Sequence, residues 1–183
     1  KEVLKMATEI LELFGTLDWA KVFEHNRDQA SWNVETDGEC KVTITLDEDN
    51  TAKLTAAGCQ KKMESVEGGT KVTLSRPFKG RNEWGSGTPT VVNVKGQDWD
   101  FDVDGYIGNG STGMIRVAVY DTSTGRRGTR LEAVQVIDHV TYESEGGSSS
   151  PSFKDFSSKV EATPNIEAPK KKKVTVSSDT IPF

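Results

Sequence analysis

Residues 106–142 read YIGNGSTGMIRVAVYDTSTGRRGTRLEAVQVIDHVTY. Between residues 114 and 120 the side chains alternate: Ile115, Val117 and Val119 fall on one face, and Met114, Arg116 and Tyr120 on the other. A period of two marks a strand with one buried and one exposed side. A small polar loop follows over residues 122–128, with Arg126 and Arg127 near its tip, and a β-branched run then extends over residues 129–142. Two such runs around a Gly-containing loop specify a hairpin. Upstream, Gly108, Asn109 and Gly110 are expected to supply the positive-φ positions of the turn that feeds it.

The same alternation recurs in shorter pieces. Leu17, Trp19, Lys21 and Phe23 alternate with Asp18, Ala20 and Val22, a strand on which Trp19 and Phe23 are expected to be core. Cys40, Val42, Ile44 and Leu46 alternate with Glu39, Lys41, Thr43 and Thr45. Asp47, followed by Glu48 and Asp49, is placed to cap a short helix that Gly58 can close. Val72 and Leu74 mark a strand running to Arg76-Pro77, and residues 91–94 mark another. At the start, Leu4, Ala7, Leu11 and Phe14 form a helical stripe with Gly15 in the C′ position, so a short N-terminal helix is expected over residues 1–14. About six short strands with an intervening helix indicate a small β-barrel or a compact α+β domain over residues 1–142. Residues 143–183 are rich in Ser, Pro, Lys and Glu with little to bury, and read as a disordered, flexible tail.

Mean hydropathy is -0.55, and no apolar run approaches the ~18 residues of a membrane helix. The start shows no basic region followed by an apolar one, so no membrane partner is expected. Cys40 and Cys59 are too far apart for a C-x-x-C site and are expected to be free thiols. His25 and His139 are the only histidines. No nucleophile triad, zinc spacing or phosphate-binding glycine loop is visible, so neither an enzyme nor a cofactor is expected. Net charge is -5, yet residues 61–81 carry six basic side chains against two acidic ones. One positive segment in an acidic chain suits a localised polyanion track.

Two stretches carry a family resemblance: YIGNGS with RLEAVQVI, and the final Asp179-Thr180-Ile181-Pro182-Phe183. They resemble single-stranded DNA-binding proteins of the OB-fold type, most like those of tailed bacteriophages. The resemblance implies a mainly β, OB-like barrel of five to six strands. It also implies sequence-independent binding of single-stranded DNA in phage replication, recombination and repair, in the cytoplasm of an infected bacterium. Asp179, Ile181, Pro182 and Phe183 would form a tip that recruits replication proteins such as a DNA polymerase or helicase-primase. Family members assemble as dimers and tetramers, so a homodimer through an edge strand is an expectation as well. Two departures stand out: Asp179 is the tip's only acid, and the tail is neutral overall, with Lys170 to Lys173.

Physical chemistry points the same way. A binder of unpaired strands needs cations for phosphates and flat rings for bases. Lys61, Lys62, Lys71, Arg76, Lys79 and Arg81 supply the first, and Phe78 and Trp84 the second. Arg116, Tyr120, Arg126, Arg127 and Arg130 extend the track. The rival readings are a structural virion module and a calcium site in the acidic loop 98–104. There Asp100, Asp102, Asp104 and Gly105 match the opening of an EF-hand loop, but Ser111 stands where the closing Glu belongs. PKKKKV, residues 169–174, resembles a nuclear-import signal and reads more simply as a solvated basic run.

Overall fold

The computed structural model describes residues 7–141. The expected tail over 143–183, its Lys170–Lys173 run and the tip residues Asp179, Ile181, Pro182 and Phe183 lie outside the described residues. So do Lys1 to Met6.

Seven strands and two helices are present among the described residues: β1 (Glu9–Lys21), β2 (Glu39–Leu46), α1 (Glu48–Ala56), β3 (Met63–Val66), β4 (Gly69–Pro77), β5 (Thr90–Val92), α2 (Phe101–Asp104), β6 (Ser111–Asp121) and β7 (Arg127–Asp138). The sheet order is β3-β4-β2-β1-β6-β7-β5. All ladders are antiparallel except β5 on β7. It follows that β4 and β7 run in the same direction, and the sheet curls until the two pack together, with Arg76 of β4 reaching the Leu131 carbonyl of β7 at 3.5 Å. This is the partly open five-stranded barrel of the OB type, with β3 and β5 added at its edges. Leu13, Leu17, Val42, Ile44, Leu46, Leu74, Ile115, Val117 and Leu131 fill the interior, and Leu54 of α1 packs into it. No helix among the described residues is long and apolar enough to cross a membrane.

The opening hairpin is present as β6 and β7, with Ile115, Val117 and Val119 inside. Of the three turn residues before it, only Gly110 takes positive φ, at 87°. The helix after Asp47 forms as read: the Asp47 carboxylate accepts the Asn50 backbone N–H at 2.8 Å, and Gly58 follows at φ 86°.

The N-terminal helix is a correction. Residues 9–14 belong to β1, which pairs with both β2 and β6. The letters fit either period, and pairing on both sides decides for the strand. Leu13 and Leu17 point inward while Phe14 is 42% exposed. Gly15 ends no helix. A Cβ there would collide with the Thr45 carbonyl and approach Ile44 Cγ1 to 2.8 Å, so the glycine lets β2 lie close to β1. Trp19 is a second correction: it is 69% exposed, because β1 bulges between Asp18 and Lys21 and breaks the alternation. Phe23, by contrast, does pack against the core.

Candidate nucleic-acid interface

The outer faces of β2, β4 and β3 form one basic surface. In register, Lys41 lies opposite Ser75, Thr43 opposite Thr73, and Thr45 opposite Lys71, while Glu64 of β3 lies opposite Lys71. Lys61 and Lys62 lead into β3. Together Lys41, Lys61, Lys62 and Lys71 line an open groove of about 340 Å³, in which Glu39 and Glu64 are the acids. Lys71 approaches Glu64 only to 3.9 Å between exposed groups, a contact worth little in water. Lys61 and Lys62 form no ion pair among the described residues. Lys41 is bound more firmly, its ammonium 2.5 Å from the buried carboxylate of Asp28, which also takes Lys21 at 3.3 Å. The Lys41 hydrogen bond is the main reason the Asp28 carboxyl sits below its usual range, with Lys21 adding and burial opposing.

The loop after β4 is tied to the loop after β1. Phe78 N–H donates to the Gly38 carbonyl at 3.0 Å, and Lys79 N–H to that of Thr36 at 2.7 Å. The Arg27 guanidinium lies 4.2 Å over the Phe78 ring, and Lys79 pairs with Asp37 at 3.0 Å. Arg81 is exposed on the same loop. Further on, Trp84 stands 68% exposed with the Arg130 guanidinium 4.5 Å from its ring centre. Arg130 also lies 5.6 Å from the Tyr120 ring and pairs with Glu132 at 2.5 Å. Arginine stacked under an indole holds the ring upright and leaves its other side open.

Several of the expected contacts are engaged in the fold instead. Arg76 is 7% exposed and donates to the carbonyls of Trp84, Ser86, Gly87 and Leu131 and to Glu132. Arg127 is packed against Asp121 and the Ala57 carbonyl, under Gly58. Arg116 pairs with Glu12 at 2.6 Å across β1 and β6, in a separate wide groove of about 870 Å³ lined by β1, β5, β6 and β7. That groove is electrically balanced, since Glu132 likewise faces Arg130. Arg126 is exposed at the hairpin tip.

No protein-family model matches the chain, and no curated protein matches it either. Among solved structures it is similar to the single-stranded DNA-binding protein gp2.5 of bacteriophage T7, with 16% identity and a TM-score of 0.49 over 88% of this chain and 100% of that one. It is also similar to the single-stranded DNA-binding protein of bacteriophage Enc34, at 9% identity and a TM-score of 0.49, over 75% of this chain and 86% of that one. The Enc34 protein in complex with single-stranded DNA aligns at 8% identity and a TM-score of 0.47, over 75% and 89%.

The expected track therefore separates. Lys61, Lys62 and Lys71 come together, as do Trp84, Tyr120 and Arg130, and Phe78 with Lys79. Arg116 lies away from the lysines, in the groove that Arg130 also lines, while Arg76 and Arg127 are taken up by bonds within the fold. The periodicity reading missed Lys21, Lys41, Arg27 and the exposed Trp19 and Trp32. Lys41 was legible: it sits on the polar side of a cleanly alternating strand. In the acidic loop, Asp100 caps the single turn of α2, accepting the Asp102 N–H at 3.1 Å. Among the described residues no three His, Cys, Asp or Glu side chains are grouped to hold a metal ion.

Proposed function

We propose that this protein binds single-stranded DNA without sequence preference, on the lysine-lined outer face of β2, β4 and β3, with the exposed indole of Trp84, over Arg130 at the β4–β7 seam, as a stacking surface beyond the edge of that face. The lysine face carries this reading: Lys61, Lys62 and Lys71 line one open groove with Glu39 and Glu64, while Lys41 beside them is held by Asp28. Phosphates entering it would replace condensed counterions, which makes affinity salt-dependent. Lysine is a point charge with no fixed fork, and a ring face accepts any base, so such a site favours unpaired strands without reading them. The service to replication, recombination and repair would come through Asp179, Ile181, Pro182 and Phe183, whose apolar side chains suit a pocket on a replication protein.

The test is titration of poly-dT and of duplex DNA at several salt concentrations. Replacing Lys61, Lys62 and Lys71 together by alanine should reduce the slope of log K against log salt by about 2, at ~0.7 for each phosphate no longer neutralised. Binding of duplex as tight as poly-dT, or an unchanged slope in the triple variant, would contradict the proposal. Deleting Phe183 should abolish capture of a phage polymerase or helicase-primase and leave poly-dT affinity intact. Capture that survives the deletion removes the recruitment role.

A further inference from the structure

Resting on the single-strand reading, we infer that Trp19 is a second base-stacking platform, set where β1 closes the lysine face. β1 pairs in register through Asp18↔Thr43 and resumes at Lys21↔Lys41, so Trp19 and Ala20 are the bulged residues. Trp19 adopts φ 51°, the left-handed region that a bulky side chain enters only under constraint. The constraint is visible. Asn109 Oδ1 accepts the Trp19 N–H at 2.7 Å, and the next residue, Gly110, donates its N–H to Asp18 Oδ1 at 3.0 Å and to the Leu17 carbonyl at 3.1 Å. The turn before β6 thus clamps the bulge and holds the indole out in solvent. Packing gives no reason for this. An unstrained β1 would place the residue by simple alternation.

Beside the indole is an open cleft of about 410 Å³, walled by Ala20, Lys21, Asn26, Ile107 and Asn109. Its walls are mainly apolar, which suits a flat ring, and Lys21 is the one cation among its lining residues. Lys21 also joins the cleft to the groove described above. Its register partner is Lys41, and the two ammonium groups share the single carboxylate of Asp28. Lys41 also lies 4.0 Å from Glu39, so the two cations meet two carboxylates, and Lys21, 44% exposed, is the more accessible of the pair along the path from groove to cleft. A strand leaving the lysine face at Lys41 therefore meets Lys21 and then the indole. The occupant is an unpaired base of that same strand, purine or pyrimidine alike, since a ring face reads neither.

Anisotropy of a labelled oligo-dT, titrated with the full chain, tests this without depending on tryptophan emission. Trp19→Ala should weaken binding by roughly 5- to 150-fold, the range for loss of one stacked base. It should leave the salt slope unchanged, because every phosphate keeps its cation. Trp19→Phe keeps a flat ring and should retain most of the affinity, which separates stacking from a folding defect. Wild-type affinity in Trp19→Ala, or equal losses in Trp19→Ala and Trp19→Phe, would overturn the assignment. In either of those cases the triple lysine variant still reports on the groove by itself. Absence of oligo-dT binding by the wild-type chain would remove both readings together.

Discussion

Arg76 separates a structural cation from a DNA contact, and the structure predicts its behaviour in some detail. Its guanidinium makes five hydrogen bonds: to the carbonyls of Gly87 at 3.2 Å, Trp84 at 3.1 Å, Ser86 at 2.7 Å and Leu131 at 3.5 Å, and to Glu132 at 3.0 Å. It thus closes the seam between β4 and β7 and anchors the turn that carries Trp84. Glu132 keeps its pair with Arg130 at 2.5 Å, but four carbonyls lose a donor; at about 1–3 kcal/mol for each buried group left unsatisfied, and with water reaching some of them, the loss is about 3–5 kcal/mol. Arg76→Ala should fall in that range. For a chain of this size, that corresponds to a melting temperature lower by roughly 6–20 °C. Urea unfolding followed by far-UV circular dichroism measures it, and a conserved m-value would show that the native state keeps its compactness. Arg76→Lys restores a charge near Glu132 but cannot fan out to four carbonyls, so it should recover only part of the loss. Suppose instead that Arg76→Ala stays within ~0.5 kcal/mol of wild type, while the salt slope of poly-dT binding falls by ~0.7. Arg76 would then be a phosphate contact, and its assignment to the seam would be wrong.

Other perturbations have definite expected signs. Asp28 has a lowered pKa in the fold, so its charged form favours the folded state. Its contribution is complete above the ordinary carboxylate value of 3.8 and is lost as pH falls below that through the folded value. Asp28→Asn should lower stability at neutral pH and flatten the acid limb of a stability–pH curve; an acid limb identical to wild type refutes this. Burial pushes the Cys40 thiol up to about 11 and raises that of half-buried Cys59 as well. A thiol reagent at pH 8 should label Cys59 first and Cys40 only on unfolding, and equal native-state rates would contradict the burial argument. Gly113 has no room for a side chain, since a Cβ would run into the Gln135 carbonyl and meet Leu17 Cδ1 at 2.9 Å. Gly113→Ala should cost about 1–3 kcal/mol in urea unfolding, and a neutral result would mean that β6 and β7 can part there freely.

The barrel was legible wherever burial on one face leaves a period of two. β2 and the β6–β7 hairpin announce themselves this way, and Asp47 with Gly58 brackets α1 as capping chemistry requires. The N-terminal segment failed for a physical reason. Leu4, Ala7, Leu11 and Phe14 satisfy a helical stripe, while Leu11, Leu13 and Leu17 satisfy a strand, and the deciding interactions come from β2 and β6, which are distant in sequence. β3 was invisible because neither face of Met63–Val66 is deeply buried, so selection for alternation is weak there. As an edge strand it is held mainly by backbone bonds to β4, which any residue can make.

Charge is harder to read than hydrophobicity, because a cation's role depends on its partners rather than on its kind. Lys71, Arg76 and Lys79 lie within nine consecutive residues and look equivalent in the text. β4 sends Lys71 outward to the groove and Arg76 across the seam, while the following loop lays Lys79 against Asp37. A fanned guanidinium bound to four carbonyls is spent on the fold, whereas an ammonium 3.9 Å from one exposed carboxylate remains available to a phosphate. Aromatic residues divide by the same rule. Phe23 and Trp99 pack against the core, but Trp19 and Trp84 are held out of it, one by a clamped bulge and the other by a guanidinium beneath its ring. The rings available to a base are thus those whose backbone or stacking partner the fold has fixed in the exposed position. That condition is set by pairs 46 to 90 residues apart, Trp84 with Arg130 and Trp19 with Asn109, and no local window contains it.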